Sequence, residues 1–323
     1  MSFLLFVALV FLGLLAATGF IVFFHSRRLL REQKNFERGL KMVPLLIHLP
    51  PSSEDIEANG RDTRDLIEEN ISKAQVLYSI IASTLKKSFK SKFYGQRHLA
   101  FEIIGSKGFV HFYAAVPVAL VDVVKQAVIS AYPTSQLEEV SEHNIFSPVG
   151  RIAGTVGGEL TLKEDYAYPI ATYQEIKRDG MQSLLNALST LDKEDGAGIQ
   201  ILLRPANPDW RKSAQSVAAK KRKGKEKSKG VDSILWWATR LQKVLGSEPN
   251  DKASKPEDKK ADLTSLDQSI VDAIDDKTRY PAYEILIRVV ASSNISQRAE
   301  AIRSNIVAAF ALFDAPGKNG FKY

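Results

Sequence analysis

From Phe3 to Phe24 this chain carries no charged residue, and sixteen of those positions are Leu, Ile, Val or Phe. A helix rises about 1.5 Å per residue, so roughly 22 such residues cover about 33 Å, enough to cross the hydrocarbon core of a bilayer. At about −0.3 to −0.6 kcal/mol for each large apolar residue near the centre, insertion outweighs the cost of Gly13, Thr18 and Gly19. A cleaved signal peptide has a basic start and a shorter apolar stretch, whereas here the apolar run begins at residue 3. The expectation is a retained transmembrane anchor over residues 1–25. Arg27, Arg28, Arg31, Lys34, Arg38 and Lys41 follow the run and nothing basic precedes it. The positive-inside rule therefore puts the N-terminus outside the cell membrane and the bulk of the chain in the cytoplasm. Gly13 and Gly19 leave a homo-oligomeric contact open, although their spacing is not small-xxx-small.

Beyond the anchor, a chain of 323 residues with 45% hydrophobic residues has room for two modest domains with cores of their own. The net charge of +7 is concentrated just after residue 25 and between Arg211 and Lys229. The absence of cysteine excludes disulfide scaffolds, thiolate metal sites and cysteine nucleophiles. Pro44, Pro50 and Pro51 make residues 26–60 a basic juxtamembrane segment and extended linker, with the first domain starting near Arg61. Leu66, Ile67, Ile71, Ala74, Leu77, Ile81 and Leu85 recur at helical spacing, with acids early and Lys86, Lys87 and Lys90 late, matching the helix dipole. Two β-like runs, Leu99–Ile104 and Phe109–Val116, flank a turn-forming Gly-Ser-Lys-Gly stretch. A turn at Ser106-Lys107 would set Ile103 opposite Val110, Phe101 opposite Phe112 and Glu102 opposite His111. Val118, Leu120, Val121, Val124, Val128 and Ile129 then form the buried stripe of a helix ending at Tyr132-Pro133.

The order helix, strand, strand, helix recurs. Met181 to Leu191 is a helix, Ile199–Arg204 and Tyr283–Arg288 are strands, and Ile295, Ala299, Ile302, Ile306, Phe310 and Phe313 mark a closing helix. The fold class expected is thus α+β: a transmembrane helix followed by two duplicated helix-strand-strand-helix units of ferredoxin-like sandwich type. The first occupies residues 61–150 and the second 181–323, with connecting strands over 151–180 and a long basic insertion at about 207–280.

Within that insertion Lys212, Lys220, Lys221, Arg222, Lys223, Lys225, Lys227 and Lys229 are opposed only by Glu226, a composition that builds no core. Ile234, Trp237, Leu241, Val244 and Leu245 follow at helical spacing beside Trp236. Three readings stay open for this stretch: a second membrane contact, a helix packed on the second domain with its lysines in water, or phosphate contacts to DNA. The candidate contacts for lipid or an anionic partner are Arg27, Arg28, Arg31, Lys220, Lys221, Arg222, Lys223, Lys225, Trp236 and Trp237.

No catalytic constellation is legible. Gly317-Lys318-Asn319-Gly320 lacks the hydroxyl and the following helix of a nucleotide-binding loop, Gly154–Gly158 leads into a strand pattern, and the five histidines lack metal-helix spacing. No cofactor, metal or enzymatic activity is expected.

At Phe101-Glu102-Ile103, Gly108-Phe109-Val110-His111-Phe112-Tyr113, Val116-Pro117, Tyr132-Pro133 and Arg204-Pro205 the chain resembles the membrane-proximal N-terminal region of ATPases of type IV secretion and conjugation systems. The likeness covers most of residues 60–323 and rests on packing and turn residues. It implies an anchor and α/β domains of the kind that, in that family, precede a RecA-like motor driving DNA or protein transfer. This chain departs from the pattern in lacking the motor, so no catalytic residue is carried over. A split subunit, a truncated product and an inactive paralogue all remain open. The resulting expectation is a single-pass, non-catalytic docking or accessory component whose partners are the bilayer and proteins of a transfer motor. The alternative is a membrane-tethered nucleic-acid binder using the Lys-rich insertion.

Overall fold

The computed structural model describes residues 2–48, 63–141, 144–146, 154–176, 180–222, 265–315 and 317–323. The apolar run and its basic flank form one helix, α1 (Ser2–Gly39). At about 1.5 Å per residue it is about 57 Å long, so the span and the cations beyond it share a single rod. The large apolar side chains described from Leu5 to Phe24 stand 47% to 67% exposed, a surface that the rest of the protein leaves almost uncovered. This is the one helix, among the described residues, long and apolar enough to cross a membrane.

The chain then enters a sheet at once. β1 (Met42–His48) is followed by α2 (Thr63–Ser83), α3 (Phe89–Tyr94), β2 (Leu99–Ser106), β3 (Phe109–Pro117), a 3-10 turn at Val118–Leu120, α4 (Val121–Ala131) and β4 (Gln136–Glu139). The second half runs β5 (Thr155–Leu162), α5 (Tyr173–Ile176), α6 (Gly180–Ser189), β6 (Gly196–Pro205), α7 (Trp210–Arg222), α8 (Ser265–Arg279), β7 (Tyr283–Ser292), α9 (Ser296–Ala309), a 3-10 turn at Phe310–Phe313 and β8 (Phe321–Lys322). All eight strands join one antiparallel sheet in the order β4-β1-β3-β2-β6-β7-β5-β8. The fold class is therefore α+β, with the halves meeting along β2 and β6 from Leu99↔Leu203 to Ser106↔Gly196.

Side chains alternate across a strand, so one face of each strand goes to the core. Leu45, Leu99, Ala114, Val116 and Leu203 meet Leu77 and Ile81 of α2 and Val124 and Val128 of α4. Ile103, Ile199, Val289 and Ala291 meet Leu184 and Leu188 of α6 and Ile302 and Ile306 of α9. All four helices thus cover one face. The Tyr283 hydroxyl, on β7, donates to the Tyr78 carbonyl on α2 and so ties a helix of the first half to a strand of the second. Burial, with Tyr78 nearby, pushes the Tyr283 phenol up to about 12.

Several expectations are corrected. Residues 42–48 are not linker: β1 lies between β3 and β4, with Leu45 at 0% exposure. Pro44 is tolerated because its carbonyl accepts from the Val140 amide, just past the last β1–β4 pair. Its missing donor therefore points to the end of β4, and no bond to β3 is lost. The β2–β3 turn is Lys107-Gly108 rather than Ser106-Lys107, since both have positive φ, 54° and 83°, as a two-residue primed hairpin turn requires. Ile103 consequently faces Phe112 and Glu102 faces Tyr113, a two-residue slip that leaves the apolar face intact. Val118 and Ile129, expected in a buried stripe, are 67% and 48% exposed, Val118 because α4 begins only at Val121 and Ile129 because it lies off the buried stripe of Val121, Val124, Val128 and Ala131. Residues 155–162, expected as a connecting strand, are a strand, β5, and it belongs to the sheet itself, paired with both β7 and β8.

The described ends of the insertion are packed helices despite their charge. Ala214 and Ala218 of α7 pack on Ile270, Val271 and Ile274 of α8, together with Ala167. Small residues at i, i+4 let the two helices approach closely.

Candidate functional site

Phe23, Arg27, Arg31 and Arg38 lie at spacings of four, four and seven, one stripe along α1. That stripe meets the segment around α3. The Phe23 and Phe93 rings are 6.4 Å apart, and the Arg27 guanidinium stands 6.0 Å from the Phe93 ring. Arg31 Nε donates to the Phe93 carbonyl at 2.7 Å, and Arg38 Nη1 to the carbonyls of Tyr94, Gly95 and Gln96 at 3.2 to 3.4 Å. Two cations expected to face lipid, Arg27 and Arg31, are thus turned onto protein. Charged donors on several carbonyls hold more strongly than neutral ones, so α1 is clamped to the body. Arg28 instead pairs with Glu32 on the exposed side, one turn along.

The last turns of α1 lie over the sheet face that the other helices leave open. Between them is a groove of about 770 Å³ in which Phe36 and Leu40 oppose Leu202 and Leu286, with His98, Arg204, Glu284 and Arg288 on the polar wall. Arg204 donates through both Nε and Nη2 to Glu284 Oε2, and Arg288 Nε donates to Glu159 Oε1 at 3.1 Å. Beside them Glu102 is only 7% exposed and accepts from Gln200 Nε2 at 2.6 Å across the β2–β6 seam. Burial and Glu102 together raise the Tyr113 phenol. Burial, then the charges of Arg204, Arg38 and Arg288, hold His98 below the usual imidazole range. At the far end of the same face Ile145 lies over Gly198, beside Ile104 and Val290, and its carbonyl passes so close to Gly196 that a Cβ there would collide with it.

The groove offers an apolar floor edged by charges that are largely paired. Among the described residues no group of three His, Asp or Glu is placed to hold a metal ion.

The remaining candidate contacts expected from the sequence lie elsewhere in the fold. Lys221 pairs with Asp267 at 3.1 Å and stands 6.0 Å from the Tyr168 ring, and Arg222 pairs with Asp275. Both pair with α8, the Lys221 side chain largely covered and that of Arg222 half exposed, while Lys220 is exposed. Lys223, Lys225, Trp236 and Trp237 lie outside the described residues. Sequence reasoning does not reach the groove itself. Its only local sign is Arg204 and Arg288 standing on strands at positions of the parity opposite to Leu203 and Ile287.

A long apolar helix clamped to an antiparallel α+β body defines a class of chain but not an activity. Residues 63–319 match the model of a family described as a domain of unknown function, DUF8128, and the chain belongs to that family. The match begins after β1, although β1 is paired on both sides within the sheet. No curated protein matches the chain.

Proposed function

We propose that this protein is a single-pass membrane component whose cytoplasmic α+β body docks protein partners at the inner face of the membrane, as a non-catalytic accessory of a type IV secretion or conjugation apparatus. The observation that carries the reading is the clamp between α1 and the segment around α3. It fastens the apolar helix to the body that carries the sheet, and the groove begins some 16 Å along α1 from the end of the apolar run, at about 1.5 Å for each of the eleven residues from Phe24 to Asn35. The cations after the run favour a cytoplasmic body.

In this reading the sheet is two ferredoxin-like units. Support comes from the strand order, which runs β4-β1-β3-β2 in one half and, from the opposite edge, β8-β5-β7-β6 in the other. Each half follows a strand-helix-strand-strand-helix-strand path, with α7 and α8 inserted in the second hairpin. The test is affinity purification of the full chain from gently solubilised membranes. A nucleotide-hydrolysing transfer motor or channel subunit should co-purify, and charge reversal at Arg204 and Arg288 should reduce its recovery severalfold. Recovery of no such protein in repeated preparations sinks the docking role.

A further inference from the structure

We propose that the segment 86–94, built around α3, is a second membrane contact that lies at headgroup level and takes anionic phospholipid. This rests on the reading of α1 as a membrane span. The depth follows from the clamp. Phe93 touches Phe23, one residue before the end of the uncharged run, and it stands beside Arg27, the first cation of the flank. α3 is therefore level with the turn of α1 where apolar side chains give way to charge, the zone where aromatic side chains and cations partition at a bilayer surface.

The chemistry of the segment fits that level. From residue 84 to residue 98 there is no acid, and Lys86, Lys87 and Lys90 are all exposed. Phe89, between them, is 82% exposed, the most exposed large apolar side chain among the described residues. The exposure is built in. Ser88 and Ser91 cap each other reciprocally, with the Ser91 amide donating to Ser88 Oγ at 3.2 Å and the Ser88 amide to Ser91 Oγ at 3.0 Å. Gln96 brackets the Lys86 backbone, Nε2 donating to its carbonyl at 2.8 Å and Oε1 accepting from its amide at 3.1 Å. A rigid turn that holds a phenylalanine outward among three lysines loses apolar burial unless something covers the ring. Lipid at the adjacent interface supplies that cover, and anionic headgroups supply the charge complement.

The absence of cysteine allows a direct test on the full chain. Phe11→Cys, Phe89→Cys and Phe109→Cys are made singly, labelled with an environment-sensitive fluorophore and reconstituted in phosphatidylcholine vesicles carrying nitroxide-labelled lipid, with and without phosphatidylglycerol. The Phe11 label reports the span. The Phe109 label, at the end of β3 remote from α1 and 69% exposed, reports bulk water. The expected result is quenching at 89 that rises severalfold when phosphatidylglycerol is present and falls back in high salt or when Lys86, Lys87 and Lys90 are replaced by Gln. An unquenched label at 89 beside a quenched label at 11 overturns this contact and leaves the anchor standing. If the label at 11 is unquenched, the anchor and the contact fall together.

Discussion

His98 stands in the groove wall, partly desolvated and crowded by the cations of Arg204, Arg38 and Arg288, and each of these disfavours its charged form. The sign of the consequence is fixed by linkage. With a folded-state pKa below the ordinary 6.5, the unfolded chain binds the proton more readily, so stability is full above about pH 6.5 and declines as the pH falls toward the folded-state value. Thermal unfolding of the detergent-solubilised chain should shift to lower temperature between pH 7 and pH 5, and His98→Gln should make that slope shallower. An identical slope in the variant would show that the histidine does not feel these charges. Other residue-scale features are half visible in the sequence. Gly105 to Gly108 announces a turn, but only the positive φ of Lys107 and Gly108 chooses between adjacent registers. Alternation alone makes Glu102 a surface residue, on the side opposite the apolar face. It is buried because the seam with β6 brings Gln200 beside it from 98 residues away.

At the scale of elements, the four helices that cover the sheet are legible in the sequence, while β1, β4 and β8 are not. The apolar stripes that define α2, α4, α6 and α9 depend on neighbours three and four residues away, so they are visible in any short window. β1 resembles linker because its proline, close to Pro50 and Pro51, weighs against a strand. Leu45→Ala separates the two descriptions. A core position at 0% exposure should lose about 2–5 kcal/mol on truncation, read as a lower denaturation midpoint, whereas a linker position would change by less than about 0.5 kcal/mol. The stripe of Phe23, Arg27, Arg31 and Arg38 is equally present in the sequence. Its charge by itself suggests cations for lipid, because nothing local says that α3 comes to lie against it. The basic run past Arg211 divides similarly: its alanines at i, i+4 specify a packed helix as far as Arg222, and its lysines conceal them.

On the scale of the whole molecule, the insertion after β6 is an addition to a hairpin that is already closed. Arg204↔Glu284 and Pro205↔Tyr283 pair at its base, and the Ala206 amide donates to the Ala282 carbonyl at 2.9 Å. Replacing residues 207–281 by a short Asn-Gly turn should therefore leave a cooperatively unfolding sheet with unchanged strand content by circular dichroism. The cost should be a few degrees, from the contacts of α8 with Ala167 and of Lys277 with the Tyr166 carbonyl. Loss of cooperative unfolding would mean that α7 and α8 are part of the fold rather than an attachment to it. The amino-acid order was enough to establish the apolar helix, the α+β class and the four helices that cover the sheet, since each is written in periodicities a few residues long. The order of the eight strands, the place of β1 among them, the groove under α1 and the turning of Arg27 and Arg31 onto protein depended on packing. Each is a contact between segments tens to hundreds of residues apart, and a local pattern can mark a residue as able to make such a contact without naming its partner.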